Sequence, residues 1–418
     1  MNGVSGAPGA RRSASVGFVL VTLGLDALGF GIVVPVLPNL VVQLSHRSAA
    51  ASAVWVGALF AAFSVMQFAC APLLGALSDR FGRRPVLLLS LAGSCANYGM
   101  LVWAPSLAWL FLGRVIAGAT SASASAATAY IADVTPPARR AQRFGLVGAM
   151  FGLGFVLGPA LGGVLGAYGS RLPFVAAAAL AGCNLLYGAV ILPESLPRSL
   201  RRPFRWRSVN AVGSLRVVGS DRAYARLAIA WSCAWFALGA LQSSFVLANQ
   251  LRFDWTPPQN GFALAVAGLG SAVVQGLLLR RVIRRLGERR AALAGYVLAA
   301  GAYLCFAFAG AGWVIYVGVA VQALGAVSGP AVQGLVSARA GPDRQGEVQG
   351  ALASLQGLTA IVSPLLAGWL FGLFTGEGTA LYFPGAPFLF AGLAYVLAFG
   401  AIWGLARTTG EVASSASA

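Results

Sequence analysis

The fold class that the sequence predicts is an all-α polytopic membrane protein, with twelve transmembrane helices in two pseudo-symmetric six-helix bundles. Three observations carry this. Of 418 residues, 58% are hydrophobic and only 10% charged, against about 25% charged in an ordinary soluble domain. Apolar runs near the roughly 20 residues that span a bilayer as a helix recur along the whole chain. Finally, an offset of 205 carries Gly82 onto Gly287, Pro137 onto Pro342, Arg139 onto Arg344, Gly145 onto Gly350, Pro159 onto Pro364 and Gly163 onto Gly368. A constant offset over that length is the mark of a duplicated six-helix unit, the plan of many secondary transporters.

In chain order the twelve runs cover about 16–40, 53–75, 85–104, 107–131, 144–168, 172–192, 224–250, 260–282, 290–309, 313–337, 347–372 and 386–406. They imply a tail at 1–15, an N-terminal bundle at 16–192, a linker at 193–223, a C-terminal bundle at 224–406 and a tail at 407–418. The first run follows Arg11-Arg12, but it is long, contains Asp26, Pro35 and Pro38, and lacks a small-residue cleavage site. It reads as a retained helix and not as an export signal. The Arg-rich linker places Phe204, Val209, Val212 and Leu215 on one helical face and Arg205, Arg207 and Arg216 on others. An interfacial helix and an irregular connector both remain open there.

The net charge of +18 is all arginine; the chain has no lysine. Only Arg47, Arg171 and Arg252 fall in connections facing away from the N-terminus, and Arg114 lies inside the fourth run. Basic residues stay on the cytoplasmic side of inserted helices, so both termini are expected to be cytoplasmic. A nucleic-acid partner would need a soluble basic face with polar or aromatic readers, and no such segment exists. Cys70, Cys95, Cys183, Cys233 and Cys305 all lie within apolar runs, without metal or disulfide spacing. His46 is the only histidine, so a histidine-based metal site is excluded. No nucleophile, base and orienting group converge, which argues against an enzyme. No cofactor is expected.

Two charged connections stand out. GALSDRFGRRPVLL, between runs two and three, holds Asp79, Arg80, Arg83 and Arg84, with Gly75 and Gly82 expected to allow close approach and a sharp turn. ADVTPPARRAQRFG, after run four, holds Asp133, Arg139, Arg140 and Arg143. Opposite charges on such loops can latch two bundles together and release them. A plain positive-inside anchor would explain the arginines but neither Asp79 nor the glycines. Gly154, Gly158 and Gly162 recur every fourth residue around Pro159, a small-residue face on which membrane helices touch backbone to backbone; a helix of the other half and simple packing are both open as its counterpart.

Asp26 is the one carboxylate well inside a run. A charged carboxylate at that depth costs on the order of 2.5–3.5 kcal/mol, so a group that exchanges a proton is the default reading, with a structural hydrogen bond as the alternative. Arg114 is the one intramembrane base, seven residues into the fourth run. Gln67 and Gln242 are polar side chains within runs two and seven; each either contacts cargo or ties helices together.

These stretches resemble a known family. GALSDRFGRRPVLL is similar to the signature loop of the major facilitator superfamily, and GLGFVLGPALGG to the helix-5 signature of its drug–proton antiporter branch. LDALGFGIVVPVLPNL, GRVIAGATSASASAATAYIADV, LPES, RFDW, LGERRAALAG and DRQGEVQGALASLQGLTAIVSPLL resemble segments of the bacterial tetracycline-efflux proteins, so the likeness runs from about Leu25 to Leu370.

The resemblance implies a proton-coupled antiporter of the major facilitator fold, in the bacterial inner membrane, exporting a drug-like small molecule as a monomer. It implies that Asp26 couples protons and that Gln67, Asn97, Arg114 and Gln242 border the cargo. It assigns Gly75, Asp79, Arg80, Gly82, Arg83, Asp133 and Arg140 to the conformational switch, with Asp79 meeting the start of helix 11 near 346–349, and Gly154, Gly158, Pro159 and Gly162 to the antiporter face. Two departures matter. Asn97 and Ala299 stand where the tetracycline exporters carry aspartates. A positively charged metal chelate would lose two partners, which argues against tetracycline itself. Asp254 also stands where some members carry a histidine. A metabolite carrier and a non-transporting membrane sensor are the competing readings.

Overall fold

The computed structural model describes residues 8–201, 203, 213–219 and 221–405. Among them every long element is helical: α1 (Pro8–Val33), α2 (Leu37–Ser45), α3 (Ala49–Phe81), α4 (Arg83–Trp103), α5 (Leu107–Thr120), α6 (Ser123–Val134), α7 (Pro137–Tyr168), α8 (Leu172–Ile191), α9 (Arg222–Phe253), α10 (Pro257–Val273), α11 (Leu279–Phe308), α12 (Gly312–Gly325), α13 (Ser328–Thr375) and α14 (Ala386–Trp403).

Most runs become one helix, and the exceptions have identifiable causes. The first run divides at Pro35, with Pro38 in the first turn of α2, where a missing N–H costs nothing. The fourth divides at Ser121–Ala122, where ψ of Ser121 is 84°. There the Ala122 N–H donates to Ser90 Oγ (3.0 Å), whose hydroxyl donates to the Thr120 carbonyl (2.5 Å). One serine of α4 thus bridges the two backbone groups at the break, which also bond each other at 2.9 Å. The offset of 205 carries this break onto Ala326–Val327, between α12 and α13, which is milder: ψ stays at −9° and −24°.

Two of the expected boundaries fall inside long helical elements. A π-turn at Val274–Leu278 joins α10 to α11, and Gly287 kinks α11 with φ 75°. Gly287, with ψ 162° as well, takes the extended left-handed turn that Gly82 takes between α3 and α4, so the apolar length Pro257–Phe308 breaks there into runs eight and nine. Within α13 the chain doubles back between runs ten and eleven: Gln333 donates to Gln349 at 3.5 Å and Gln345 to the Ser337 carbonyl at 2.8 Å, and the apolar spans part between Ala340 and Arg344. Of the linker residues assigned to an interfacial helix, only Leu215 and Arg216 are described, within a 3-10 turn at Gly213–Gly219; the others lie outside the described residues.

The chain forms two compact units. The first draws on 1–46, 62–210 and 256–265, the second on 47–61, 211–255 and 266–418. In the first, Val19, Leu23, Leu87, Ala127, Tyr130 and Ile131 share a buried core of α1, α4 and α6. In the second, Tyr296 and Tyr303 donate to the Ala230 and Ala237 carbonyls at 3.2 and 2.8 Å. Both pairs are seven residues apart, two helical turns, so one face of α11 is tied along one face of α9.

Each unit also contains a glycine joint between helices of opposite sequence halves. In the first, a Cβ on Gly163 would lie 2.7 Å from the Pro257 carbonyl and 3.0 Å from Gly261 Cα, and one on Gly261 would strike the Pro159 carbonyl. In the second, a Cβ on Gly57 would strike the Pro364 carbonyl, and one on Gly368 the Ala53 carbonyl. The proline–glycine pair 159/163 and its repeat 364/368 thus do the same work twice, α7 on α10 and α13 on α3.

The arginines placed away from the N-terminal side have partners. Arg171 donates to the Val102 and Ala104 carbonyls at 2.7 and 3.0 Å, closing the C-terminal end of α4. Arg252 donates to the Phe306 and Ala309 carbonyls at the end of α11. A cation there meets unsatisfied carbonyls at the negative end of the helix dipole.

Candidate functional site

Two polar clusters in the first unit hold most of the residues singled out above. One is a belt within the apolar length of the helices. Asp26 on α1 accepts from Ser94 Oγ of α4 at 3.2 Å and from Ser123 Oγ of α6 at 2.6 Å. Ser123 is the first residue of α6, immediately after the break, so the interruption of the fourth run delivers a hydroxyl to the carboxylate. One turn further along α4 from Ser94, Asn97 is 3% exposed. With its amide oriented to satisfy both ends, it donates to the Gly113 carbonyl at 3.1 Å and accepts from Arg114 Nη2 at 3.2 Å. Arg114 is also 3% exposed. Its guanidinium lies 6.0 Å from the centre of the Phe63 ring, its Nε has no hydrogen-bond partner, and it joins no ion pair among the described residues.

Asp26 and Arg114 therefore do not pair. Gln67 donates to Ser121 Oγ at 2.9 Å and ties α3 to the break in the fourth run. Gln242 is half-buried on α9, in the second unit. Ser94, Ser121 and Ser123 were missed by sequence reasoning; for Ser121 and Ser123 the signal available was the density of hydroxyls in ATSASASAAT, and for Ser94 there was none.

The second cluster sits at the α3–α4 turn. Gly82 adopts φ 111°, a value that favours glycine, and a Cβ there would overlap the Glu194 carboxylate. Arg83 Nη1 reaches Asp79 at 2.6 Å and Ser78 Oγ at 3.2 Å, while its Nε reaches Asp133 at 3.1 Å. Glu194 accepts from the Arg83, Arg84, Ser195 and Leu196 N–H groups at 2.8–3.3 Å. It supplies acceptors to the first turn of α4, which no side chain of that helix caps. Ser195 Oγ adds a bond to Asp133 at 3.2 Å. Glu194 lies in the LPES stretch, where the sequence offered a motif but no role.

Three expectations change here. These partners all belong to one unit, so the pairs observed brace α3, α4 and α6 and do not themselves form a latch between bundles. Arg140 is not in the charge network, because from the first turn of α7 it folds back onto the Thr135 carbonyl at 3.2 Å. Gly75 makes no close approach: a Cβ there would meet nothing within 4 Å, and α3 continues past it to Phe81. Arg80 stacks on Phe81, 5.1 Å from the ring centre.

On α7, Gly154, Gly158 and Gly162 all face α1. A Cβ on Gly154 would lie 2.6 Å from the Ala27 carbonyl carbon, one on Gly158 2.7 Å from that of Gly31, and one on Gly162 would overlap the Ile32 carbonyl. The contact with a helix of the other sequence half belongs instead to Pro159 and to Gly163, one position round the helix.

Comparison with known proteins places these features. A family model described as Major Facilitator Superfamily matches residues 19–363 and 244–417. The chain is 40% identical over 379 residues to the tetracycline resistance protein, class C, of Escherichia coli, covering 89% of this chain and 95% of that one. It is 36% identical over 357 residues to the class G protein of Vibrio anguillarum, covering 85% and 89%. Among solved structures, the human organic anion transporter MFSD10 (TETRAN) is 28% identical with a TM-score of 0.68, covering 95% of this chain and all of that one.

Proposed function

Since this chain belongs to the Major Facilitator Superfamily and is an integral membrane transporter, not an enzyme, we propose that it exports a drug-like small molecule in exchange for protons by alternating access. The observation that carries the proposal is Asp26, a carboxylate within the spans held by two hydroxyls and no cation. Such a group is tolerated in an apolar setting when it has work to do. Serine hydroxyls suit proton exchange, because they donate to the carboxylate and can also accept from the protonated acid. Arginine in their place would hold the charge permanently.

The cargo we propose is an amphipathic compound other than tetracycline. Asn97 keeps hydrogen-bonding capacity without charge. Ala299 is 3% exposed and packs on Gly325, whose added Cβ would lie 3.3 Å from the alanine methyl. The α7–α10 and α3–α13 glycine joints are the contacts that would release for a path to open on their side of the membrane. The Arg83 brace would keep α3, α4 and α6 moving as one body. We place both termini in the cytoplasm of a bacterium and take the monomer as the working unit, on the arginine distribution and on the completeness of both repeats.

The test is Asp26→Asn in inverted vesicles energised by a pH gradient, with cargo drawn from a susceptibility panel in a host lacking its major efflux pumps. Gradient-driven accumulation should vanish at unchanged protein level. Full retained accumulation would remove Asp26 from the mechanism.

A further inference from the structure

We propose that Arg114 is the anchoring point for an acidic group on the exported molecule, so that the cargo is an organic anion or a zwitterion presenting its acid to α5. This rests on the export reading above and names the cargo's chemistry.

The argument is one of unbalanced charge. A guanidinium stays protonated in proteins and presents five N–H donors in a planar fork suited to carboxylates. Buried charge is costly unless an opposite charge and further hydrogen bonds compensate it. At Arg114 the compensation is incomplete on every side. Its side-chain hydrogen bond among the described residues is to the neutral amide of Asn97, at 3.2 Å, and the other polar neighbour it interacts with is the phenol of Tyr98. The Phe63 face stands 6.0 Å away, and Nε is buried with nothing to bond. The other charged group of the belt, Asp26, has each oxygen engaged by a serine. An incoming acid would supply both the missing charge and the missing acceptor.

Further polar groups follow on the same two helices. Ser121 lies seven residues after Arg114, two turns on and on the same helical face. Gln67, which bonds to it, lies one turn after Phe63 on α3. Both Gln67 and Ser121 are half-buried, while between them and the guanidinium Gly118 brings α5 against the Phe63 carbonyl of α3, so these polar groups lie beyond a backbone contact that cargo would have to part. Asn97 is the residue that sets the preference. An aspartate in its place would sit within reach of Arg114 Nη2, cancel the charge internally and leave nothing for an acidic cargo.

The test uses two xanthene dyes of similar shape and opposite charge, fluorescein (anionic) and rhodamine 6G (cationic). Binding to the purified full-length protein in detergent is followed by fluorescence anisotropy without any gradient. The wild type should bind fluorescein about tenfold or more tighter than rhodamine 6G, the scale of one charge-assisted hydrogen bond. Asn97→Asp should erase that preference, and Arg114→Gln should do the same, while Arg114→Lys should retain part of it. Because Arg114→Gln removes a buried group that folding could depend on, Asn97→Asp, which adds a partner, is the decisive variant. No preference in the wild type, binding of neither dye, or a preference that survives Asn97→Asp would each overturn the proposal. Flux indifferent to the pH gradient, with the dye preference intact, would instead remove the proton-coupling reading and leave this one standing.

Discussion

Replacing Arg83 with alanine tests whether the α3–α4 turn acts as a brace. Arg83 holds Asp79 at 2.6 Å, Asp133 at 3.1 Å and the buried Ser78 hydroxyl at 3.2 Å. Its own side chain is 12% exposed and the two carboxylates 44% and 23%. Pairs that open to solvent are worth about 0.2–1 kcal/mol each, and a charged donor to a buried hydroxyl about 1.5 kcal/mol. Together they hold the ends of α3, α4 and α6 by about 2–3 kcal/mol, a factor of roughly 30–150 in an equilibrium. None of these contacts touches the Asp26–Arg114 belt. Arg83→Ala should therefore lower turnover in proteoliposomes about tenfold or more while cargo Kd stays within about twofold. A double-mutant cycle with Asp133→Ala should give a coupling of about 0.5–1 kcal/mol in turnover. Additivity of the two changes, or weakened binding at unchanged turnover, would refute the brace.

Other consequences can be checked separately. Ser123→Ala removes the 2.6 Å donor to Asp26; a hydrogen bond to a charged acceptor is worth about 1.5–3 kcal/mol, so gradient-driven transport should change about tenfold or more with cargo binding intact. Gly163→Val forces a side chain where a Cβ already lies 2.7 Å from the Pro257 carbonyl. It should disrupt transport, whereas Gly152→Ala on the same helix, with open space around it, should not. Glu194→Ala strips acceptors from four N–H groups. A lost helix cap costs about 1–2 kcal/mol, so the melting temperature should fall, and Glu194→Gln should recover part of the loss.

The helices were legible because apolar length is a strong signal, and so was the duplication: Gly82 and Gly287, matched by offset alone, both take left-handed φ values of 111° and 75°. What escaped was decided by partners distant in sequence. Gly154, Gly158 and Gly162 announce a close helix contact but not which helix, and Gly163, outside that repeat, meets the other half. Asp133 and Arg140 carry equally visible charges, yet only Asp133 joins the network at Arg83; Arg140, in the first turn of α7, bonds the Thr135 carbonyl and neither carboxylate. The serines around Asp26 were unreadable for a similar cause. Alone each is a small residue compatible with a membrane helix, and only the break at Ser121–Ala122 turns one of them towards α1.

The repeat also makes an argument by its failure. The offset of 205 sends Asp26 to Trp231, Ser94 to Ala299, Asn97 to Ala302, Arg114 to Val319 and Gln67 to Ala272. The skeleton of the belt is duplicated and its chemistry is not. Val319 and Ala302 are buried at 1% and 0% exposure, and Trp231 spends its indole N–H on the Leu352 carbonyl at 3.1 Å. The second half offers shape and aromatic surface where the first handles charge. With Asp26 the one carboxylate well within the predicted spans, the exchange should carry one proton per cargo molecule. With the membrane potential clamped at zero, a one-unit pH gradient should then balance about a tenfold gradient of a cargo whose charge does not change in transit. A balance near a hundredfold would demand a second exchanging acid, and the single-carboxylate scheme would fall with it.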